Sequence, residues 1–131
     1  MLRGFATISF YADDLDAAAR WYAEVLGIEP YFVTPDYIEF RVGDYEHELG
    51  IIHARWRPPM PDQPAGAIMH WAVDDVQASL ARLLELGAAA YQPVIERGHG
   101  FATAAVVDPF GNILGIMTNP HYVEILQRAR D

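Results

Sequence analysis

Residues Asp13 to Gly27, DDLDAAARWYAEVLG, and residues Asp74 to Gly87, DDVQASLARLLELG, share one local grammar. Each opens on an acidic pair, continues at helical spacing and closes on Leu-Gly, at Leu26-Gly27 and Leu86-Gly87. Asp14 and Asp75 lie 61 residues apart, and the closing glycines 60 apart. A period of about 60 residues reads as a duplicated supersecondary unit. In the first copy Asp14 is placed to cap a helix, its carboxylate accepting from an orphan N–H of the first turn. Leu15, Ala18, Ala19, Tyr22, Val25 and Leu26 then fall on one helical face, and Gly27 supplies a left-handed stop. The second copy repeats this with Asp75 as cap, a stripe of Val76, Ser79, Leu80, Leu83 and Leu84, and Gly87 as stop. One apolar stripe per helix predicts that each packs on one face of a sheet.

Working outward, each acidic pair follows a strand, Phe5 to Tyr11 and Ala67 to Val73. Tyr31 to Val33 reads as a short strand. Ile38, Phe40 and Val42 alternate with Glu39 and Arg41, the pattern of a half-buried strand. A turn at Gly43-Asp44-Tyr45 leads into a strand from His47 to His53. The second copy continues with Ala89 to Glu96, where Pro93 signals an edge or bulge, then Phe101 to Val107. The turn Asp108-Pro109-Phe110-Gly111-Asn112 leads into Ile113 to Thr118. Between the copies, Arg57-Pro58-Pro59-Met60-Pro61-Asp62-Gln63-Pro64 carries four prolines. That stretch suits neither a helix nor a central strand. Asn119-Pro120 starts a terminal helix, with Pro at the first helical position. The expected class is α+β: module one at 1–56, a linker at 57–66, module two at 67–118, both βαβββ, and a short C-terminal helix at 119–131.

Composition narrows the chemistry. The 131 residues are 52% hydrophobic and 21% charged, ample for a packed core. There is no Cys, which excludes disulfides, thiolate metal sites and cysteine nucleophiles. All nine basic residues are Arg, so lysine Schiff-base chemistry is excluded as well. Eighteen acidic residues bring the net charge to −9, which repels phosphate backbones and anionic lipid. Nucleic acid and membranes are therefore not the expected partners. No apolar run reaches the roughly 18 residues of a membrane span, and Met1 to Ile8 lacks a signal-type apolar segment. A soluble, cytoplasmic protein is the expectation.

The double βαβββ pattern resembles the vicinal oxygen chelate superfamily, which includes glyoxalase I, the bleomycin-resistance proteins and the extradiol dioxygenases. The resemblance is carried by Asp14-Leu15-Asp16 through Trp21-Tyr22 to Val25-Leu26-Gly27, by Asp74-Asp75-Val76 to Leu86-Gly87, and by Asp108-Pro109-Phe110-Gly111-Asn112. It implies that the modules form a curled mixed sheet with a ligand cleft, and that two chains pair as a twofold homodimer. In metal-dependent members one His, Gln or Glu in the first strand and one in the last strand of each module bind a divalent ion. Carried onto this chain, those positions are Thr7 and His53 in module one and Ile68 and Gly115 in module two. Only His53 is an ordinary ligand, whereas a catalytic metal typically needs three. No metal and no cofactor is therefore expected. His70, two residues beyond Ile68, and Ser9, two beyond Thr7, share a strand face with them.

Two function classes follow. In the first, a metal-free small-molecule-binding protein sequesters a neutral or cationic ligand, the net charge disfavouring an anion. Its wall by strand parity is Thr7, Ser9, Ile51, His53, Ile68, His70, Ala72, Ile113, Gly115 and Met117, with Trp56 as a flap or a packing residue. Gly115 would then leave room that a Glu fills in metal-dependent relatives. In the second, a glyoxalase- or epimerase-like lyase or isomerase acts on a hydroxyacyl substrate, with His53 or His70 as base or metal ligand. His47, His99 and His121 are expected at turns or on the surface, and the acidic pairs as caps.

Overall fold

The structure, a computed structural model, describes residues 1–130, so Asp131 of the expected terminal helix lies outside the described residues. The chain forms two compact units, Met1–Asp62 and the part from Gln63 onward.

In the first unit β1 (Thr7–Ala12), α1 (Leu15–Leu26), β2 (Phe32–Val33), β3 (Tyr37–Val42) and β4 (His47–His53) follow in order, and a 3₁₀ turn spans Ala54–Trp56. The sheet order is β1-β4-β3-β2. β1 runs parallel to β4, and the other neighbours are antiparallel. Asp14 caps α1 as its sequence demands: its carboxylate accepts from Ala17 N–H at 3.0 Å. Gly27 closes the helix at φ 70°, its N–H donating to Ala23 O. The α1 stripe buries Leu15, Ala18 and Tyr22. The Tyr22 ring lies 6.2 Å from Phe10 and 6.5 Å from Phe40, which identifies the sheet face toward the helix. Ile38 and Phe10 both stand opposite Ile51, and Phe40 opposite Leu49, so these five apolar side chains share that face and are buried. β1 begins at Thr7, two residues later than expected. Thr7 is the first residue to pair with β4, whereas Phe5 is 95% exposed.

The second unit contains β5 (His70–Ala72), α2 (Val76–Glu85), β6 (Ala89–Gly98), β7 (Phe101–Val107), β8 (Ile113–Thr118) and α3 (Pro120–Arg130). Its sheet order, β5-β8-β7-β6, repeats the first, with β5 parallel to β8. Asp75 caps α2 through Ala78 N–H at 3.0 Å. The helix stops on Leu86 before Gly87, whose φ is 106°. β5 is shorter than the expected Ala67 to Val73, since ladder pairing with β8 runs only from His70 to Ala72. β6 runs two residues past Glu96, and its register against β7 shifts on both sides of Gln92, next to Pro93, as the proline implies. The turn before β8 is held by Asp108, 3% exposed. Its carboxylate accepts from Phe110 N–H, Asn112 N–H and the Asn112 side-chain amide at 2.8–2.9 Å. No helix is long and apolar enough to cross a membrane among the described residues.

Candidate ligand-binding faces

Strand alternation gives each sheet a second face, opposite the helix-facing row. In the first unit the register places Thr7, Ser9 and Tyr11 beside Glu48, Gly50 and Ile52, and these beside Arg41, Glu39 and Tyr37. Ile51 and His53 belong to the other row, with Phe10 and Ala12. The expected wall is thus divided: Thr7 and Ser9 share a face, while Ile51 packs in the core. His53 ends β4, and its Nδ1 accepts from Arg55 N–H at 3.1 Å. The residue that faces Thr7 across the strands is Glu48, five positions earlier and therefore of opposite parity.

This face is a connected polar surface. Tyr37 Oη donates to Glu39 Oε1 at 2.8 Å, and Arg41 Nε donates to Glu39 Oε2 at 3.0 Å. The Arg41 guanidinium lies 4.1 Å over the Tyr31 ring, a cation–π contact. The hydrogen bond from Tyr37, with that from Arg41, holds the Glu39 carboxyl below its ordinary range. Burial, reinforced by the bond to Glu39 and the charges of Glu39 and Glu48, pushes the Tyr37 phenol up to about 12. The Tyr37 ring lies over Gly50: a Cβ there would meet Tyr37 Cε1 at 2.7 Å. Tyr37, Glu39, Arg41 and Glu48 are absent from the wall expected from sequence. The alternation of Ile38, Phe40 and Val42 with Glu39 and Arg41 carried the signal. Only the cross-strand register adds Glu48 to the same surface.

In the second unit the corresponding face carries His70 and Ala72 of β5, Ile113, Gly115 and Met117 of β8, and Thr103, Ala105 and Val107 of β7. Strand parity therefore keeps the expected residues of this module together. Gly115 does not leave open room, however. A Cβ there would meet His70 Cδ2, Ile68 Cγ2 and the Met69 carbonyl oxygen, each at 2.8 Å. The His70 ring, partly exposed, makes no hydrogen bond among the described residues. Trp56 is exposed at the end of the 3₁₀ turn, and His47, His99 and His121 are exposed as expected.

These side chains do not fit the divalent ion that the resemblance brings with it. Ile68 and Gly115 offer no lone pair, and the space above Gly115 is taken by Ile68 and His70. His53 stands on the opposite face from Thr7 and spends Nδ1 on a backbone N–H. The Thr7 hydroxyl donates to Glu48 O at 3.3 Å. Glu39 is bonded through both oxygens to Tyr37 and Arg41, and Glu48 with a neutral hydroxyl falls short of the three ligands a catalytic ion needs.

Comparison with known proteins agrees with this architecture. Residues 4–116 match the model of the Glyoxalase/Bleomycin resistance protein/Dioxygenase superfamily. A glyoxalase-related enzyme from Fulvimarina pelagi is 25% identical, with TM-score 0.71 over 91% of this chain and 90% of that one. A bleomycin resistance determinant encoded on transposon Tn5 is 22% identical, with TM-score 0.65 over 90% and 99%. Lactoylglutathione lyase from Agrobacterium tumefaciens is 23% identical, with TM-score 0.66 over 88% and 93%. No curated protein matches the chain significantly. With 113 consecutive residues under the family model and the same twice-repeated sheet, the chain belongs to the Glyoxalase/Bleomycin resistance protein/Dioxygenase superfamily.

Proposed function

We propose that this chain is a metal-independent small-molecule-binding protein of the glyoxalase/bleomycin-resistance type. It sequesters a neutral or cationic ligand without turning it over, and works in the cytoplasm as a twofold homodimer. The observation that carries this reading is the packing of Ile68 and His70 over Gly115, a ligand position of metal-dependent relatives, which leaves no room there for a side chain. The net charge of −9 supports a ligand that is not anionic and argues against nucleic acid and anionic membranes as partners. The test is elemental analysis after incubation with excess zinc, nickel, manganese or ferrous iron, followed by desalting. A metal content near zero per chain is expected. A stoichiometric ion overturns the reading.

One observation favours a second reading, a glyoxalase- or epimerase-like isomerase. The His70 imidazole, partly exposed and opposite Gly115, has no hydrogen-bond partner among the described residues. Isomerisation of a hydroxyacyl substrate by the native protein, lost in His70→Ala, would replace the binding reading. Turnover that survives the substitution removes His70 as base.

A further inference from the structure

The segment Pro58 to Gly66, which crosses from the first unit into the second, makes no backbone hydrogen bond among the described residues. One side-chain contact closes its start: Arg57 Nε donates to Met60 Sδ at 3.2 Å, across Pro58-Pro59. Both prolines fix φ, and Arg57 ahead of them is extended at φ −67° and ψ 128°, so little backbone freedom remains between the two side chains. The partners are unequal. Arg55 is paired with Asp36, whereas the Arg57 guanidinium forms no ion pair among the described residues. A thioether sulfur is a weak acceptor, so this cationic donor is poorly satisfied. Met60 is also 49% exposed, while Met69 and Met117 are half-buried. Met117 Sδ already accepts from the Asn119 side-chain amide at 3.7 Å. The chain has no Cys, so no thiol competes for an oxidant and methionine is its first sulfur target.

We propose that Met60 is a site of reversible oxidation by peroxide, its sulfoxide oxygen taking over the Arg57 Nε–H. In the forward step a sulfur lone pair attacks one peroxide oxygen. An S–O bond forms as the O–O bond breaks, and the departing hydroxide takes the proton of the transferred oxygen and leaves as water. Sulfur is oxidised by two electrons and the peroxide is reduced. The new oxygen carries the negative end of the S–O dipole, so its bond to the guanidinium is charge-assisted and stronger than the contact it replaces. Oxidation thereby turns a weak contact into a firm clasp over Pro58-Pro59. Thiol-dependent sulfoxide reductases reverse the step, the oxygen leaving as water while two thiols join as a disulfide. The site is independent of the ligand reading above.

Dilute hydrogen peroxide on the full chain, with peptide mass spectrometry at early times, tests the site. Met60 sulfoxide is expected before Met69 or Met117 sulfoxide, with the exposed Met1 as the reference thioether. The clasp is read separately, from the Arg57 side-chain Nε–H by NMR. That signal is expected to shift on oxidation and to exchange with solvent about tenfold more slowly, the scale of one hydrogen bond to a charged group. Sulfoxide reductases, one for each epimer, should restore the original signal. Met60→Leu, at an exposed position, should leave it unmoved by peroxide. Oxidation of Met69 or Met117 as fast as Met60 overturns the site. An Arg57 signal that stays unchanged in the oxidised chain, or shifts equally in Met60→Leu, overturns the clasp. Sulfoxide that the reductases leave in place overturns the reversibility.

Discussion

Gly50 and Gly115 hold matching rows of the two sheets. Gly50 stands opposite Ser9 and Gly115 opposite His70, and Ser9 and His70 are 61 residues apart, the same offset as the helix caps. Neither position has room for a side chain, but for different reasons. At Gly50 the obstacle is the end of a side chain, the Tyr37 ring. At Gly115 it is two side chains and a backbone carbonyl, Met69 O. Duplication kept the backbone and the glycine row while the neighbours diverged. One face became a network of Tyr37, Glu39 and Arg41, and the other a largely apolar surface bearing His70 and Thr103. Chemistry in this fold is set by what leans over the last strand.

The cores differ in the same way, and there the largest effect is expected. The first unit is packed by Phe10, Tyr22 and Phe40, and the second by Ala104, Val106, Leu114 and Ile116. Phe40→Ala should destabilise by about 3–5 kcal/mol. Val106→Ala should cost less, below the roughly 1.5–3 kcal/mol of burying a whole aliphatic side chain. Denaturant unfolding of both variants measures the contrast, and equal losses would break it.

The glycine comparison comes next. Gly115→Ala should cost about 1–3 kcal/mol, since the Met69 carbonyl cannot rotate away. Gly50→Ala should cost less and show itself as loss of the Tyr37–Glu39 hydrogen bond, because the ring can swing aside. A larger loss at Gly50 would reverse the ranking. The caps should then show where the copies remain alike. Asp14→Ala and Asp75→Ala make the same deletion from the same 3.0 Å bond, and each should cost about 1 kcal/mol.

The last comparison is one of pH. Tyr37 holds its proton to about 12 in the folded chain, against an ordinary value of 10.0. The unfolded chain therefore loses that proton first, and the stabilisation present below pH 10 declines as pH rises toward 12. The fall in unfolding midpoint over that window should be shallower in Tyr37→Phe, whereas a parallel fall would remove Tyr37 as its source.

Some of this was written in the linear chain. Asp14, Asp75, Gly27 and the Asp108 turn are local devices, whose bonds reach no more than four residues along the chain. Their chemistry is therefore complete within a short window, and the duplication follows from their repetition. The strands β4, β7 and β8 begin and end where their composition indicates. The faces were less legible. Parity within one strand is a local property, and Thr7 and Ser9 do share a face. Parity between strands depends on register, and a step of one residue exchanges the two faces. That step separates His53 from Thr7 and puts Glu48 in its place. The charge, the absence of Lys and Cys and the twofold repeat were determined by the sequence alone. That Glu48 stands beside Thr7 and Arg41 was decided by tertiary structure, because only the pairing of distant strands brings those residues together.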